Sequence, residues 1–220
     1  ANNAAVIDLL DNCVDAMIRK YGKENISQGY LDVLIESEPT AREPFEQLDL
    51  LGVSSEEQKD SLTESNIRSI KLVDSGDGIK DLAAACRLGS NTEHGEGEVG
   101  IYGMGMKTAS SSMCKRWVVA TRSEEGGDIE LGVFDEEDSF VNNDVYLLSP
   151  SSEERDELIT LFHKKLGDIQ TGTIFAMYDF HNLDRDRNAK RFAEVISNEN
   201  NMGRIYRYSL NDLGLPLCVN

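Results

Sequence analysis

Paired cysteines are missing from this sequence. Its four cysteines, Cys13, Cys86, Cys114 and Cys218, lie far apart with no C-x-x-C spacing. That argues against a zinc site or a disulfide framework and fits a reducing, cytoplasmic compartment. No apolar run approaches the length of a membrane span, and the N-terminus lacks a basic stretch followed by an apolar one. A soluble intracellular protein with no membrane partner is therefore expected. Basic residues are few, 22 Lys and Arg against 40 Asp and Glu, for a net charge of −18. A surface of that sign repels nucleic acid and anionic lipid, so nucleic acid is expected to bind only through regions outside this acidic chain. Histidine is limited to His94, His163 and His181, and no internal repeat is evident. What is present, 40% hydrophobic residues over 220 positions, is enough for one sizeable α/β core or a domain plus part of a second.

Residues 4–20 read as a helix, because Val6, Leu9, Leu10, Cys13 and Met17 fall on one face and Asp8, Asp11, Asn12 and Asp15 on the opposite one. A strand is expected over 29–36, and the polar, acidic residues 38–66 read as a surface insertion with a short helix near 54–62. Ile67 to Val73 alternates as a strand and runs into the turn-forming D-S-G-D-G of Asp74 to Gly78. Helices are expected at 79–88, 104–113 and 151–165, and strands at 116–122, 129–134, 140–147 and 172–179. A glycine-rich, polar loop occupies 89–103. Lys190 to Ser209 contains a further helical stretch. Ala1, already at the edge of the helical pattern, and the strand-like L-P-L-C-V-N at the other end give the look of a fragment.

Gly100 to Lys107, G-I-Y-G-M-G-M-K, puts three glycines and a lysine beside a helix start. Glycines admit a close backbone approach, helix-end N–H groups point at an anion, and the lysine adds a full charge. This is the pattern of a nucleotide phosphate site. A P-loop is excluded, since Met106 separates Gly105 from Lys107. Gly95, Gly97 and Gly100 spell a dinucleotide fingerprint, but L-G-S-N-T-E-H before them is too polar for the buried strand that fingerprint requires.

Three further segments each carry two readings. Asp8 and Asn12 lie one helical turn apart, where a carboxamide oxygen suits magnesium and a carboxylate suits orienting or deprotonating a water; alone, they also fit a solvated polar face. Asp74 at a strand end, followed by Gly76 and Gly78, can accept from an adenine amine with room for the flat base; alone, the segment fits a tight turn. T-G-T, Thr171 to Thr173, can hold a bridging water to a purine or be ordinary strand sequence.

In this order, A-V-I-D-L-L-D-N-C-V-D-A, V-D-S-G-D-G-I, G-I-Y-G-M-G-M-K and T-G-T together resemble the Bergerat ATP-binding fold of the GHKL superfamily. Gyrase B, the ninety-kilodalton heat-shock chaperones, histidine kinases and MutL are members. The tyrosine before the second glycine and the lysine after the third are most similar to the MORC branch and its bacterial relatives. The resemblance implies an α/β two-layer sandwich: a mixed, largely antiparallel sheet with helices on one face and an ATP lid over 89–107. It implies an ATP-binding domain over 1–187 and the truncated start of a transducer-like domain over 188–220. Carried over, Asp8 is the catalytic base and Asn12 the magnesium ligand, with Asp15 and Ala16 beside the nucleotide. Asp74, Gly76, Gly78, Ile79 and Thr173 bind the adenine end. Gly100, Ile101, Tyr102, Gly103, Met104, Gly105, Met106 and Lys107 bind phosphate, Lys107 also acting in catalysis. The implied activity is Mg2+-dependent ATP binding and slow hydrolysis that drives an ATP-dependent homodimer as a conformational switch. The alternatives are a histidine-kinase-type phosphotransferase and a non-hydrolysing nucleotide-sensing scaffold. Two departures stand out: Asp8 replaces the usual glutamate, and 38–66 is longer than in compact members.

Overall fold

Helix α1 (Asn2–Tyr21) forms where apolar residues recur at helical spacing, and Val6, Leu9, Leu10, Cys13, Val14 and Met17 are all buried. Arg19 and Lys20 in its last turn suit the carbonyl end of the helix dipole. Gly22 follows at φ 77, a left-handed value open to glycine. The computed structural model describes residues 2–39, 65–86, 105–142, 146–168, 170–181, 192, 194, 214 and 217–219. The expected helix near 54–62, the lid residues 89–104 and most of 188–220 lie outside them.

Six strands build one sheet: β1 (Leu31–Pro39), β2 (Ser65–Asp74), β3 (Cys114–Arg122), β4 (Glu130–Asp135), β5 (Gly172–Phe180) and β6 (Leu217–Val219), in the order β4-β3-β5-β2-β1-β6. All neighbours are antiparallel except β1 and β6, which run parallel. The α/β class with a mixed, largely antiparallel sheet is therefore as expected. β1 and β2 pair as far as Pro39 opposite Ser65, so the edges of the expected 38–66 insertion belong to strands. Leu217–Val219 joins this same sheet beside β1.

Alternation along the strands sends residues to two faces. Ile70, Leu72, Trp117, Val119, Phe175 and Met177 pack with α1 and with Ala109 and Met113 of α3 (Gly105–Met113). Val73, Val118, Ala120, Ile174 and Ala176 point the other way and pack with Leu158, Phe162 and Leu166 of a later helix, Ser152–Leu166. Helices thus cover both faces rather than one, because the strands alternate apolar residues on both sides. Burying each of these large side chains contributes about 1.5–3 kcal/mol.

The strand expected over 140–147 does not form at 140–142. Residues Glu136–Asn142 are helix α4, following the short α2 (Leu82–Cys86) and α3 in sequence. The Asp135 carboxylate caps the Asp138 N–H at 3.1 Å, and Glu136, Glu137 and Asp138 fill the first turn, where negative charge favours a helix. Ser152–Leu166 is α5, opened by a reciprocal cap between Ser151 and Glu154. It is bolted to the sheet by charge: Arg116 to Glu154 at 2.6 Å, buried Lys71, itself paired with Glu36 of β1 at 2.7 Å, to Glu157 at 2.8 Å, and Lys165 to buried Asp32 at 2.7 Å. Asp32→Ala removes the acceptor shared by the Tyr30 hydroxyl and Lys165, both only partly buried, and is expected to cost about 1–3 kcal/mol in a denaturant titration.

Candidate functional site

The D-S-G-D-G turn is held against α1 by bonds that leave it little freedom. Asp74 ends β2 with its carboxylate 3% exposed, accepting from the Gly76 N–H at 2.9 Å. The Asp77 N–H donates to the Ala16 carbonyl at 3.3 Å, and Arg19 grips the Asp77 carboxylate with two bonds of 2.9 and 3.1 Å. Lys20 Nζ and the Tyr21 hydroxyl donate to the Ser75 carbonyl at 2.8 and 3.1 Å, and Thr171 donates to the Gly76 carbonyl at 2.7 Å. No ion pair to Asp74 forms among the described residues. Burial therefore dominates and raises its carboxyl to about 7; the Gly76 N–H, the Cys13 thiol and Arg19 pull it down, while Asp77 pushes it up. A carboxyl shifted this far by burial makes Asp74 a candidate functional residue.

The two glycines of this turn serve the protein's own packing. A Cβ on Gly76 would lie 2.5 Å from the Ala16 Cβ, and one on Gly78, at φ 71, would lie 2.2 Å from the Arg122 carbonyl oxygen. The space expected for a flat base is, in those two directions, filled by α1 and β3. Gly78→Ala combines a left-handed backbone with a clash against main chain, and we expect a loss of at least about 2 kcal/mol in thermal or denaturant unfolding. An unchanged midpoint would mean the turn can move away from β3.

Along α1, Cys13 and Ala16 meet the turn, and Asn12 sits one helical turn before Ala16, with Asp8 a further turn out. The Asn12 Nδ2 donates to the Asp8 carbonyl at 3.0 Å, which directs the carboxamide oxygen away from the helix backbone. That oxygen is a hard donor of the kind magnesium takes, so Asn12 fits the metal's chemistry. Asp8 is exposed, as a base acting on water would be. Asp15, expected beside the nucleotide, is buried at 4% exposure.

Across the sheet, Asp74, Thr173 and Thr121 stand opposite one another on β2, β5 and β3. The strand alternation puts all three on the α1 face. Thr121 Oγ1 accepts from the Ile79 N–H at 2.9 Å and lies 3.1 Å from Thr173 Oγ1. Gly105, Met106 and Lys107 form the first turn of α3, which packs on α1; Gly100, Ile101, Tyr102, Gly103 and Met104 lie outside the described residues.

Two neighbours of this site carried no sequence signal. Burial, then the neighbouring Asp74, raises the Cys13 thiol well above its ordinary value. Thr121 joins through strand register alone. Cys13, Cys114 and Cys218 are free. Among the described residues no helix is long and apolar enough to cross a membrane.

The family model described as histidine kinase-, DNA gyrase B- and HSP90-like ATPase matches residues 1–165 of the 220. No curated protein matches the sequence. Among solved structures, the chain is similar to the ATPase region of Saccharomyces cerevisiae topoisomerase II, at 12% identity and a TM-score of 0.48, covering 98% of this chain and 47% of that one. It is also similar to the ATPase and transducer domains of DNA topoisomerase II from Balamuthia mandrillaris, at 14% identity and a TM-score of 0.47, covering 89% and 44% respectively. This chain thus spans less than half of either.

Proposed function

Because this chain belongs to the histidine kinase-, DNA gyrase B- and HSP90-like ATPase family, we propose that it binds ATP with magnesium, hydrolyses it slowly and uses the cycle as a dimerisation switch. The observation that carries this reading is the seating of the D-S-G-D-G turn on α1, with buried Asp74 at one end and the Asn12–Asp8 stripe leading away from it. Asp74 accepts from the adenine amine, and Thr173, opposite it in the sheet, borders the same base. Asn12 holds magnesium. The metal, when bound, neutralises phosphate charge. Asp8, one turn further along α1, orients and deprotonates the attacking water. Lys107, in the first turn of α3, is in this reading the cation that meets the terminal phosphate beside the helix-end N–H groups. Asp15, Ala16 and Ile79 line the nucleotide, and 100–106 supplies the rest of the phosphate cradle.

Within the family, the spelling G-I-Y-G-M-G-M-K supports placement near the MORC branch. Hydrolysis is slow because the Asp8 side chain is one methylene shorter than the glutamate usual there. That same departure favours a second reading, a nucleotide-sensing scaffold without hydrolysis.

Asn12→Ala tests the site directly. Asn12 is half-buried and bonds only to its own helix backbone in the contacts described, so the variant should stay folded. Calorimetry with magnesium should detect no ATP binding. Wild-type affinity in this variant would remove Asn12 from the site, and no ATP binding by the unaltered protein would overturn the whole reading. Phosphate release above background decides against the scaffold.

A further inference from the structure

We propose that Thr121 is a positioning residue that fixes the direction of the Thr173 hydroxyl, so that Thr173 and Asp74 together select a purine with an exocyclic amine over one with an oxo group. This rests on the nucleotide-binding reading and adds to it a residue that need not touch the base.

A threonine hydroxyl has one proton to donate and two lone pairs to accept with. Thr121 Oγ1 has three partners: the Ile79 N–H at 2.9 Å, which can only donate; the Gly172 carbonyl at 3.2 Å, which can only accept; and Thr173 Oγ1 at 3.1 Å, which can do either. One assignment satisfies all three. Thr121 donates to Gly172, accepts from Ile79, and accepts the Thr173 proton. Reversing the last bond would leave the Thr121 oxygen against the Gly172 oxygen with no proton between them. Thr121 is 1% exposed and Thr173 8%, so water cannot readily relieve that mismatch, and an unmade bond here carries its full desolvation penalty.

With its proton directed toward β3, Thr173 offers only lone pairs to a ligand. Asp74, directly opposite it on β2, offers lone pairs as well. Two acceptors side by side suit an NH2 group, which brings two donors. They oppose an oxo group, which brings none, and a site built for donors rejects an analogue lacking them.

The test compares ATP with inosine triphosphate, in which an oxo group replaces the amine, by calorimetry at about pH 8.5, above the Asp74 value of about 7. Wild-type protein should prefer ATP. In Thr121→Val the Thr173 hydroxyl can rotate and donate, and the preference should fall about tenfold, the worth of one hydrogen bond. Thr121→Ser should restore it. A purely structural role would weaken both nucleotides together and leave their ratio unmoved, which would overturn the proposal, as would equal binding of the two by the wild type. Binding of neither would overturn the nucleotide reading itself. Should Thr121→Val not fold, the slowly exchanging hydroxyl protons of the wild type decide in nuclear magnetic resonance: a Thr173 proton close to Thr121 supports the assignment, and one directed at Asp74 refutes it.

Discussion

Exchanging Asp8 for asparagine is expected to lower ATP hydrolysis by about 10²- to 10⁴-fold, the range of general-base catalysis, while leaving ATP affinity largely unchanged. The separation follows from position. Asp8 is exposed on α1, one turn beyond Asn12 and two turns from Ala16, where the turn carrying Asp74 is seated. It supports neither the buried core nor the contacts around Asp74, so removing its charge should affect the chemical step and little else. Asp8→Glu is the informative opposite: the exposed site accommodates another methylene, the carboxylate reaches further, and turnover should rise. Steady-state phosphate release paired with calorimetric affinity reads both variants. Wild-type turnover in Asp8→Asn would assign the base to another group, and equal loss of binding and turnover would merge two roles that we keep apart.

The parts of the site visible in the sequence are those written in local spacing. Val6, Leu9, Leu10, Cys13 and Met17 declare α1, the same period sets Asn12 one turn after Asp8, and D-S-G-D-G declares a turn after an alternating strand. What the sequence conceals depends on elements far apart in the chain. Thr121 reaches Thr173 across 52 positions because β3 and β5 pair in that register, and no local pattern encodes register. Gly76 and Gly78 signal close approach without saying to what; the neighbours are Ala16 and Arg122, protein rather than ligand. Asp15 has the composition of a solvent-facing residue and is buried by tertiary packing. Helix α4 was hidden by the apolar Phe140 and Val141, which read as strand; both are exposed, and the acidic first turn with its Asp135 cap decides the conformation.

Asp74→Asn should weaken ATP and ADP alike by about ten- to a hundredfold, since both present the same adenine amine and the loss is one charge-assisted bond of roughly 1.5–3 kcal/mol. The pH dependence makes the assignment specific. Burial raises the Asp74 carboxyl from 3.8 to about 7 in the folded protein, so between those values the native state holds a proton that the unfolded chain has released. Stability from this group is then complete below about pH 4 and is lost as pH rises through 7, on the order of 4 kcal/mol over the roughly three units of the shift. In denaturant titrations of the nucleotide-free protein, Asp74→Asn should gain on wild type across that window. Nucleotide reverses the preference: an amine donating to Asp74 favours the ionised carboxylate and draws its value down. ATP binding near pH 6 should therefore release close to one proton, seen as a dependence of the calorimetric heat on the buffer's ionisation enthalpy, and affinity should rise with pH until it levels off above about 7. Asp74→Asn should abolish both effects. Proton release of the same size in that variant would place the titrating group elsewhere, and Asp74 would then lose its role as the adenine anchor.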